Sequence, residues 1–456
     1  MHMGDKNFSA KVVFAPRIQL LILGVIILLS SIYVLLGSIL IYIIVLLINT
    51  LYIFASTYRL RLFLIGLKLA RISVEPAQEN KISDKMLPTY TVLVPLFKEA
   101  MMIRNLKQAL LALDYPLAKI QILLIVEEED PTTSYAIDAE GFPSHFRKIT
   151  VPFTFPQTKA KACNYALQFA TGEFITIFDA EDKPHPLQLK TVIQEFTNSR
   201  PDVACIQCRL CFYNASENWL TKMFALEYAT LFNYTLPAVA TLFYPVPLGG
   251  TSNHLKTHIL RLLGGWDSYN VTEDAALGLK IALAGFKTII INSYTKEEAP
   301  ITVSAWIKQR SRWIKGYLQT YLVFIRHPIF LFQKYKIGGF IFFNYFIFLS
   351  PFLLIMAPLT IYLSISIVNE YDDLGLSNHI ALLKYLGIFN LGYGFMQLIF
   401  IAYKVKKPKI ISIRWLCWTY PFYFYLHVMA AILAVYKLTV EPHRWDKTEH
   451  GVTKII

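Results

Sequence analysis

Residues 18–57 form an almost uninterrupted apolar run, and nothing else in the chain limits its fold so sharply. One membrane-crossing helix needs about 20 apolar residues, so a run of about forty accommodates two, with a tight turn expected at Gly37–Ser38. A secretory signal would be much shorter and would end in a small-residue cleavage site. Lys6, Lys11 and Arg17 precede the run, and Arg59, Arg61, Lys68 and Arg71 follow it. Basic flanks on both sides predict an in-to-in hairpin with both ends in the cytoplasm.

A second apolar region begins at Ile337. It reads as spans over 337–368, with Pro351 and Pro358 inside, over 380–403, and over 415–436, broken by Pro421. The acidic connector 369–378 suits the outside and the basic stretch 404–409 the inside. That count leaves the C-terminus outside, whereas 443–451 reads as cytoplasmic. Either the last segment is re-entrant or interfacial, or the count differs by one.

The expected organisation is a transmembrane hairpin over 1–74, a cytoplasmic catalytic domain over 75–325, and interfacial and transmembrane helices over 326–456. The middle part is long enough to bury a full core. Composition agrees: 55% of residues are hydrophobic, above the roughly 45–50% of soluble domains, yet 16% are charged. The net charge of +13 comes with basic flanks around the spans and no long basic run in the middle, which excludes nucleic acid as a partner.

Within the middle part, strand and helix signals alternate. The TYTVLVPLF run from Thr89 is a buried strand, and 101–113 has helical spacing. IQILLIV is a second strand, ending in Glu127, Glu128, Glu129 and Asp130. Residues 159–170 are helical, and 173–178 form a strand ending in Asp179. Such alternation implies a mainly parallel sheet covered on both faces, with ligands bound beyond the carboxyl ends of the strands. Cys205, Cys208 and Cys211 make a CxxCxxC, but in a strand the middle one faces away from the other two. They read as packing residues, not metal ligands.

Three strings carry chemistry. In FDAEDKPHP, Asp179, Glu181 and Asp182 supply the hard oxygens that suit Mg²⁺ or Mn²⁺ with phosphates completing the shell. In TED, Glu273 and Asp274 open an amphipathic helix, where the dipole alone favours carboxylates; Asp274 is the candidate general base. In QRSRW, Arg310 and Arg312 can fork onto a diphosphate, and Trp313 offers a flat face for a sugar ring. A basic amphipathic segment at a membrane surface would look similar to this last string.

The strings VEEED, AKACN, DAED, GGTSN, GGWD, TED and QRSRW occur in that order, before a membrane segment. In this the chain resembles the membrane-embedded family 2 glycosyltransferases of the cellulose- and hyaluronan-synthase-like kind, over about residues 89–320. The resemblance implies an α/β GT-A (Rossmann-like) domain flanked by transmembrane helices. It implies inverting, processive transfer from a UDP-sugar to a growing glycan, of the exopolysaccharide type, at the cytoplasmic face of a bacterial inner membrane. Glu127 or Glu128 would meet the donor base and ribose, although the family usually has aspartates there. Lys161 would approach the diphosphate, with Cys163 in place of the family's glycine. Asp179 and Glu181 would be the metal pair, Asp182 sharing that role because the family more often has Asp where Glu181 stands. Asp274 would be the base; Gln309, Arg310, Arg312 and Trp313 complete the family's QxxRW; Gly250, Thr251 and Asn253 would line the acceptor pocket. The implied partners are a nucleotide sugar, a glycan or lipid-linked acceptor, and membrane lipid. A non-processive transferase acting on a lipid carrier is the alternative. An exporter with a dead transferase domain is argued against by intact Asp179, Asp274 and Arg312.

Overall fold

A computed structural model of the chain describes residues 8–72, 82–370, 377–405, 416–445, 451 and 453. Lys6, residues 371–376 of the acidic connector, 406–409 of the basic stretch and 446–450 of the tail lie outside the described residues.

The middle of the chain holds eight strands: β1 (Tyr90–Leu96), β2 (Ile120–Glu127), β3 (Phe146–Val151), β4 (Phe174–Ile177), β5 (Lys183–Pro184), β6 (Val203–Phe212), β7 (Asn253–Lys256) and β8 (Lys287–Glu297). They form one sheet in the order β3-β2-β1-β4-β7-β6-β8-β5. β1 pairs in parallel with β2 and β4, β2 with β3, and β6 with β8. The sheet is therefore mainly parallel, as expected, with two reversals: β7 runs against β4 and β6, and β5 against β8. The reversal of β7 matters to the site. Because β7 starts where β4 ends, the turn before it is delivered to the carboxyl edge of the sheet, and Ser252 N donates to Ile177 O at 2.9 Å.

Alternate residues of a strand face opposite sides. β1 sends Val92 and Val94 into one apolar layer, with Leu106 and Val192 from helices Ile103–Leu111 and Gln188–Asn198. It sends Leu93 into the other, with Ala166 and Leu277 from helices Lys159–Leu167 and Glu273–Leu283. Cys205 and Cys208 lie in opposite layers, so these two cysteines face apart across the sheet.

Among the described residues, five helical stretches are long and apolar enough to cross a membrane: Ile18–Leu36, Ile39–Arg71, Pro328–Tyr362, Leu382–Lys404 and Tyr420–Val440. The first two are divided at Gly37, whose φ of 54° is a left-handed conformation that glycine adopts without steric cost. The long helix Ser38–Ile72 docks on the middle unit where Phe63 packs on Tyr234, ring centroids 5.1 Å apart. Tyr420–Val440 lies along helix Val303–Phe324, with Trp306 against Tyr423 and His427 at 5.2 and 4.8 Å. Both its ends touch the middle unit. Trp219 Nε1 donates to Thr419 Oγ1 at 2.6 Å, and Lys315 Nζ donates to Glu441 O and Arg444 O at 3.1 and 2.7 Å.

Candidate active site

β4 ends at Ile177, and the chain turns at once, so that Asp179 and Glu181 open into a cavity of about 340 Å³ beyond the carboxyl edge of the sheet. Asp182 is buried behind them. Its Oδ2 accepts from Asp179 N at 2.7 Å and from the Thr251 hydroxyl, while Oδ1 has no hydrogen-bond partner among the described residues. β8 brings a further carboxylate, Glu297, into the same cavity. Glu297 was not singled out from the sequence; its only signal is an acidic residue at a strand's carboxyl end. Burial, then the charge of Asp179, pushes the Glu181 carboxyl well above its usual range. The same causes, with Glu181 added, act on Asp182, and burial followed by Asp182 and Glu181 acts on Glu297. Carboxyls that resist ionising together bind either protons or a cation.

Among the described residues no three potential ligand side chains already converge on one point. A lysine neutralises the cluster instead. Helix Lys159–Leu167 is capped by Thr158, which accepts from Lys161 N at 3.2 Å, and its first turn places Lys159 in the cavity. Lys159 Nζ contacts the Asp179 carboxylate and donates to Gly250 O at 2.8 Å. Burial alone would loosen its proton, but Asp179 and Glu273 outweigh burial and hold that proton more tightly than usual. Lys161, expected at the diphosphate, pairs with Glu127 at 2.9 Å. Residues two apart on a helix point about 200° apart, so only one of these lysines can face the cavity. Glu127 lines the cavity, and burial raises its pKa against the pull of Lys161. Glu128 is exposed and accepts from Phe153 N at 3.0 Å, outside the cavity.

Gly316 fixes the approach of the next element. A Cβ there would lie 2.4 Å from the Thr272 side chain, so only glycine lets helix Val303–Phe324 close on the start of helix Glu273–Leu283. Glu273 and Asp274 thereby face that helix across the cavity. Burial, then Asp274, pushes Glu273 up to about 7. Burial also raises the Asp274 carboxyl, although Ala275 N donates to its Oδ1 at 2.7 Å. A Cβ on Gly250 would come within 3.3 Å of Asp274 Oδ2, so the glycine keeps the space in front of that oxygen open. Two of the expected acceptor residues lie apart from the cavity lining. Thr251 and Asn253 are 1% and 0% exposed, the first bonded to Asp182 and the second donating to Gly249 O at 2.8 Å. The reversal of β7 turns them into the sheet edge, and they brace the turn that Gly250 exposes.

Gln309, Arg310, Arg312 and Trp313 all line the cavity from one helix. Arg310, expected at the donor, is engaged within the protein. Its guanidinium pairs with Glu227 at 2.8 Å and lies over the Trp313 ring at 4.8 Å, between Phe224 and Trp306. Glu227 also accepts from the Tyr423 hydroxyl at 2.5 Å. Arg310, with its charge matched there, supports the back of Trp313. Arg312 lies over the ring of Trp445, at 5.1 Å, and Trp445 lines the cavity too. Glu227, Lys159 and Trp445 carry no motif that would have marked them in the sequence.

The sequence profile of glycosyl transferase family group 2 matches residues 174–436. The chain is 26% identical over 378 residues to the probable glycosyltransferase YdaM of Bacillus subtilis (strain 168), covering 80% of this chain and 87% of that protein. It is 25% identical over 241 residues to the probable glucomannan 4-beta-mannosyltransferase 7 of Oryza sativa subsp. japonica, covering 50% of this chain. The chain spans only 40% of that plant relative's length. Among solved structures it is similar to the mannosyltransferase PcManGT from Pyrobaculum calidifontis in complex with GDP-Man and Mn²⁺. The TM-score is 0.56 at 19% identity, covering 86% of this chain and 99% of that one, a likeness of fold.

Proposed function

The chain belongs to glycosyl transferase family group 2 and has a GT-A-like fold, and from that premise we propose that it transfers a hexose, with inversion, from a nucleotide-diphosphate donor to a sugar-terminated acceptor. The observation that carries this reading is the cavity itself. Asp274, whose Oδ2 is left uncrowded by Gly250, shares one cavity with the carboxylate cluster, Arg312 and Trp313.

The acceptor's terminal sugar stacks on Trp313, which Arg310 holds from behind. Its hydroxyl oxygen attacks the anomeric carbon from the face opposite the leaving group. Asp274 takes the hydroxyl proton as the new bond forms, and the nucleoside diphosphate departs with the old bonding pair. Lys159 and Arg312 are cations beside that departing charge. Asp179, Glu181 and Glu297, with the unpartnered Asp182 Oδ1 behind them, are a donor set of the hard-oxygen type that fits Mg²⁺ or Mn²⁺. When bound, such an ion supplies Lewis-acid stabilisation of the leaving diphosphate. Glu127 is the member of the acidic strand end that lines the cavity, and it is our candidate for the contact with the donor base or ribose.

UDP-hexose remains a donor to test, and the mannosyltransferase names among the relatives add a nucleotide-linked mannose beside it. The basic flanks of the first hairpin support a cytoplasmic catalytic unit, and processive elongation is the reading we carry for a sugar-terminated acceptor. We read Tyr420–Val440 as lying along the membrane interface, because both its ends contact the catalytic unit. That leaves both chain ends on one side.

The test is nucleotide release by detergent-solubilised protein given UDP-glucose, UDP-N-acetylglucosamine or GDP-mannose with Mg²⁺ or Mn²⁺. One donor should turn over, EDTA should abolish turnover, and Asp274→Asn should lower it roughly 10²–10⁴-fold with donor affinity nearly intact. Full turnover by Asp274→Asn would reject the assignment of the base.

A further inference from the structure

A second cavity, of about 740 Å³, lies among the helices Ser38–Ile72, Ser350–Glu370, Ser377–Lys404 and the start of Tyr420–Val440. That volume is within the range of sites for small ligands. Its lining runs along one helix from Lys384 to Leu398, a rise of about 20 Å, which exceeds one leaflet's half of the ~30 Å hydrocarbon core.

Much of the polar lining is already bonded within the protein. Asn390 Nδ2 donates to Asn49 Oδ1 at 2.8 Å, and Asn49 Nδ2 donates to Val45 O at 2.9 Å. The Tyr52 hydroxyl donates to Leu353 O, and the Thr360 hydroxyl donates to Met356 O at 2.7 Å. A glycan in this space would leave hydroxyls without partners, at about 1–3 kcal/mol each. A hydrocarbon chain has no such groups to satisfy.

One end differs. Arg59 Nη2 reaches Gln397 Oε1 only at 3.5 Å. Arg59 Nε and Gln397 Nε2 are buried and have no partner among the described residues, and Gln397 is 4% exposed. Of the two residues, Arg59 lines the cavity and marks its catalytic end, because the next turn of the same helix carries Phe63 onto Tyr234. The catalytic cavity is close by. Tyr345 lines the membrane cavity and its neighbour Phe346 lines the catalytic one, within the π-helical segment Asn344–Leu349. Single π-turns are frequent at functional sites.

We propose that this cavity holds the hydrocarbon chain of a phosphate-headed lipid, with the phosphate on Arg59, as the anchor of the acceptor. The proposal rests on the transferase reading above and deepens it by naming what carries the acceptor sugar. An arginine fork matches a phosphate in charge and shape, and an apolar trough of leaflet length matches a single long chain. The sugar on that head would then enter past Tyr345 and Phe346.

The test uses the full chain in phosphatidylcholine nanodiscs doped with polyprenyl phosphate, read by native mass spectrometry after detergent extraction. One polyprenyl phosphate per chain should survive conditions that strip phosphatidylcholine. Arg59→Gln should reduce that retention at least tenfold, and Ala357→Phe, which fills the trough, should do the same without touching the charge. Both variants should bind nucleotide-sugar donor as the parent does, so loss of the lipid site is separable from failure of the transferase reading. Should Arg59→Gln fail to insert, Ala357→Phe alone decides. Retention unchanged in Ala357→Phe overturns the proposal, as does equal retention of the uncharged polyprenol or retention of phosphatidylcholine only.

Discussion

Glu227→Gln removes one carboxylate from beneath Trp313, the proposed acceptor platform, and keeps its shape. In the parent, Arg310 and His427 outweigh burial and hold the Glu227 carboxyl down at about 2, against an ordinary 4.5. That depression of roughly 2.5 pH units corresponds to stability on the order of 3 kcal/mol. The side chains of Arg310 and Glu227 are 12% and 25% exposed, so solvent screens the pair only in part. Removing one partner leaves the other charge buried, a loss of about 3–5 kcal/mol. The sign is set by the depressed value. The contribution is fully present above the unfolded pKa of about 4.5 and is lost as pH falls towards 2. Thermal melts of solubilised protein should therefore show a destabilised variant near neutrality, with the gap narrowing below pH 4.5. Function should split as well. Arg310 supports Trp313 at 4.8 Å, so acceptor KM should rise, up to about 10²-fold, while donor KM stays nearly constant. Glu227→Leu with Arg310→Met replaces both charges by apolar groups and should recover stability but not acceptor binding. Wild-type melting and wild-type acceptor KM in Glu227→Gln would refute the argument.

Four further predictions concern the cavity and the spans. Lys159 neutralises Asp179, so Lys159→Met should strengthen dication binding in the absence of donor; weaker binding by calorimetry would count against that role. Because burial and mutual repulsion push Glu181, Asp182 and Glu297 above the usual carboxylate range, binding of Mn²⁺ should release protons and tighten as pH rises. Affinity that ignores pH would contradict it. By the same sign, the ion-free protein should lose stability as pH rises from about 4.5 to about 7 through Glu273, and Glu273→Gln should flatten that loss in thermal melts. A cysteine placed beside Gly37 should react with an impermeant reagent added outside cells, and one replacing the exposed Met101 should not; the reverse pattern would overturn the cytoplasmic placement.

Features that depend on local pattern were legible in the chain. An apolar run of twice the length of a span has room for two helices, and the helices divide at Gly37. Alternation of strand and helix signals dictates a mainly parallel sheet, and acidic strings at strand ends locate its ligand edge. Asp179, Glu181, Asp274 and Trp313 each stand in a string whose spacing has a chemical meaning, and the fold brings all four to one cavity. Other assignments rest on contacts between residues far apart in sequence, which no periodicity encodes. Whether Lys159 or Lys161 faces the cavity depends on how their helix is rotated against β4. Thr251 and Asn253 turn inward because β7 is inserted in reverse. Arg310 meets Glu227, 83 residues away, and Glu297 reaches the carboxylate cluster only because β8 pairs with β6. The last apolar segment has the length and composition of a span, but its tertiary contacts lay it along helix Val303–Phe324. Hydrophobicity measures a helix's affinity for an apolar medium, whereas its direction is set by the groups its two ends bind.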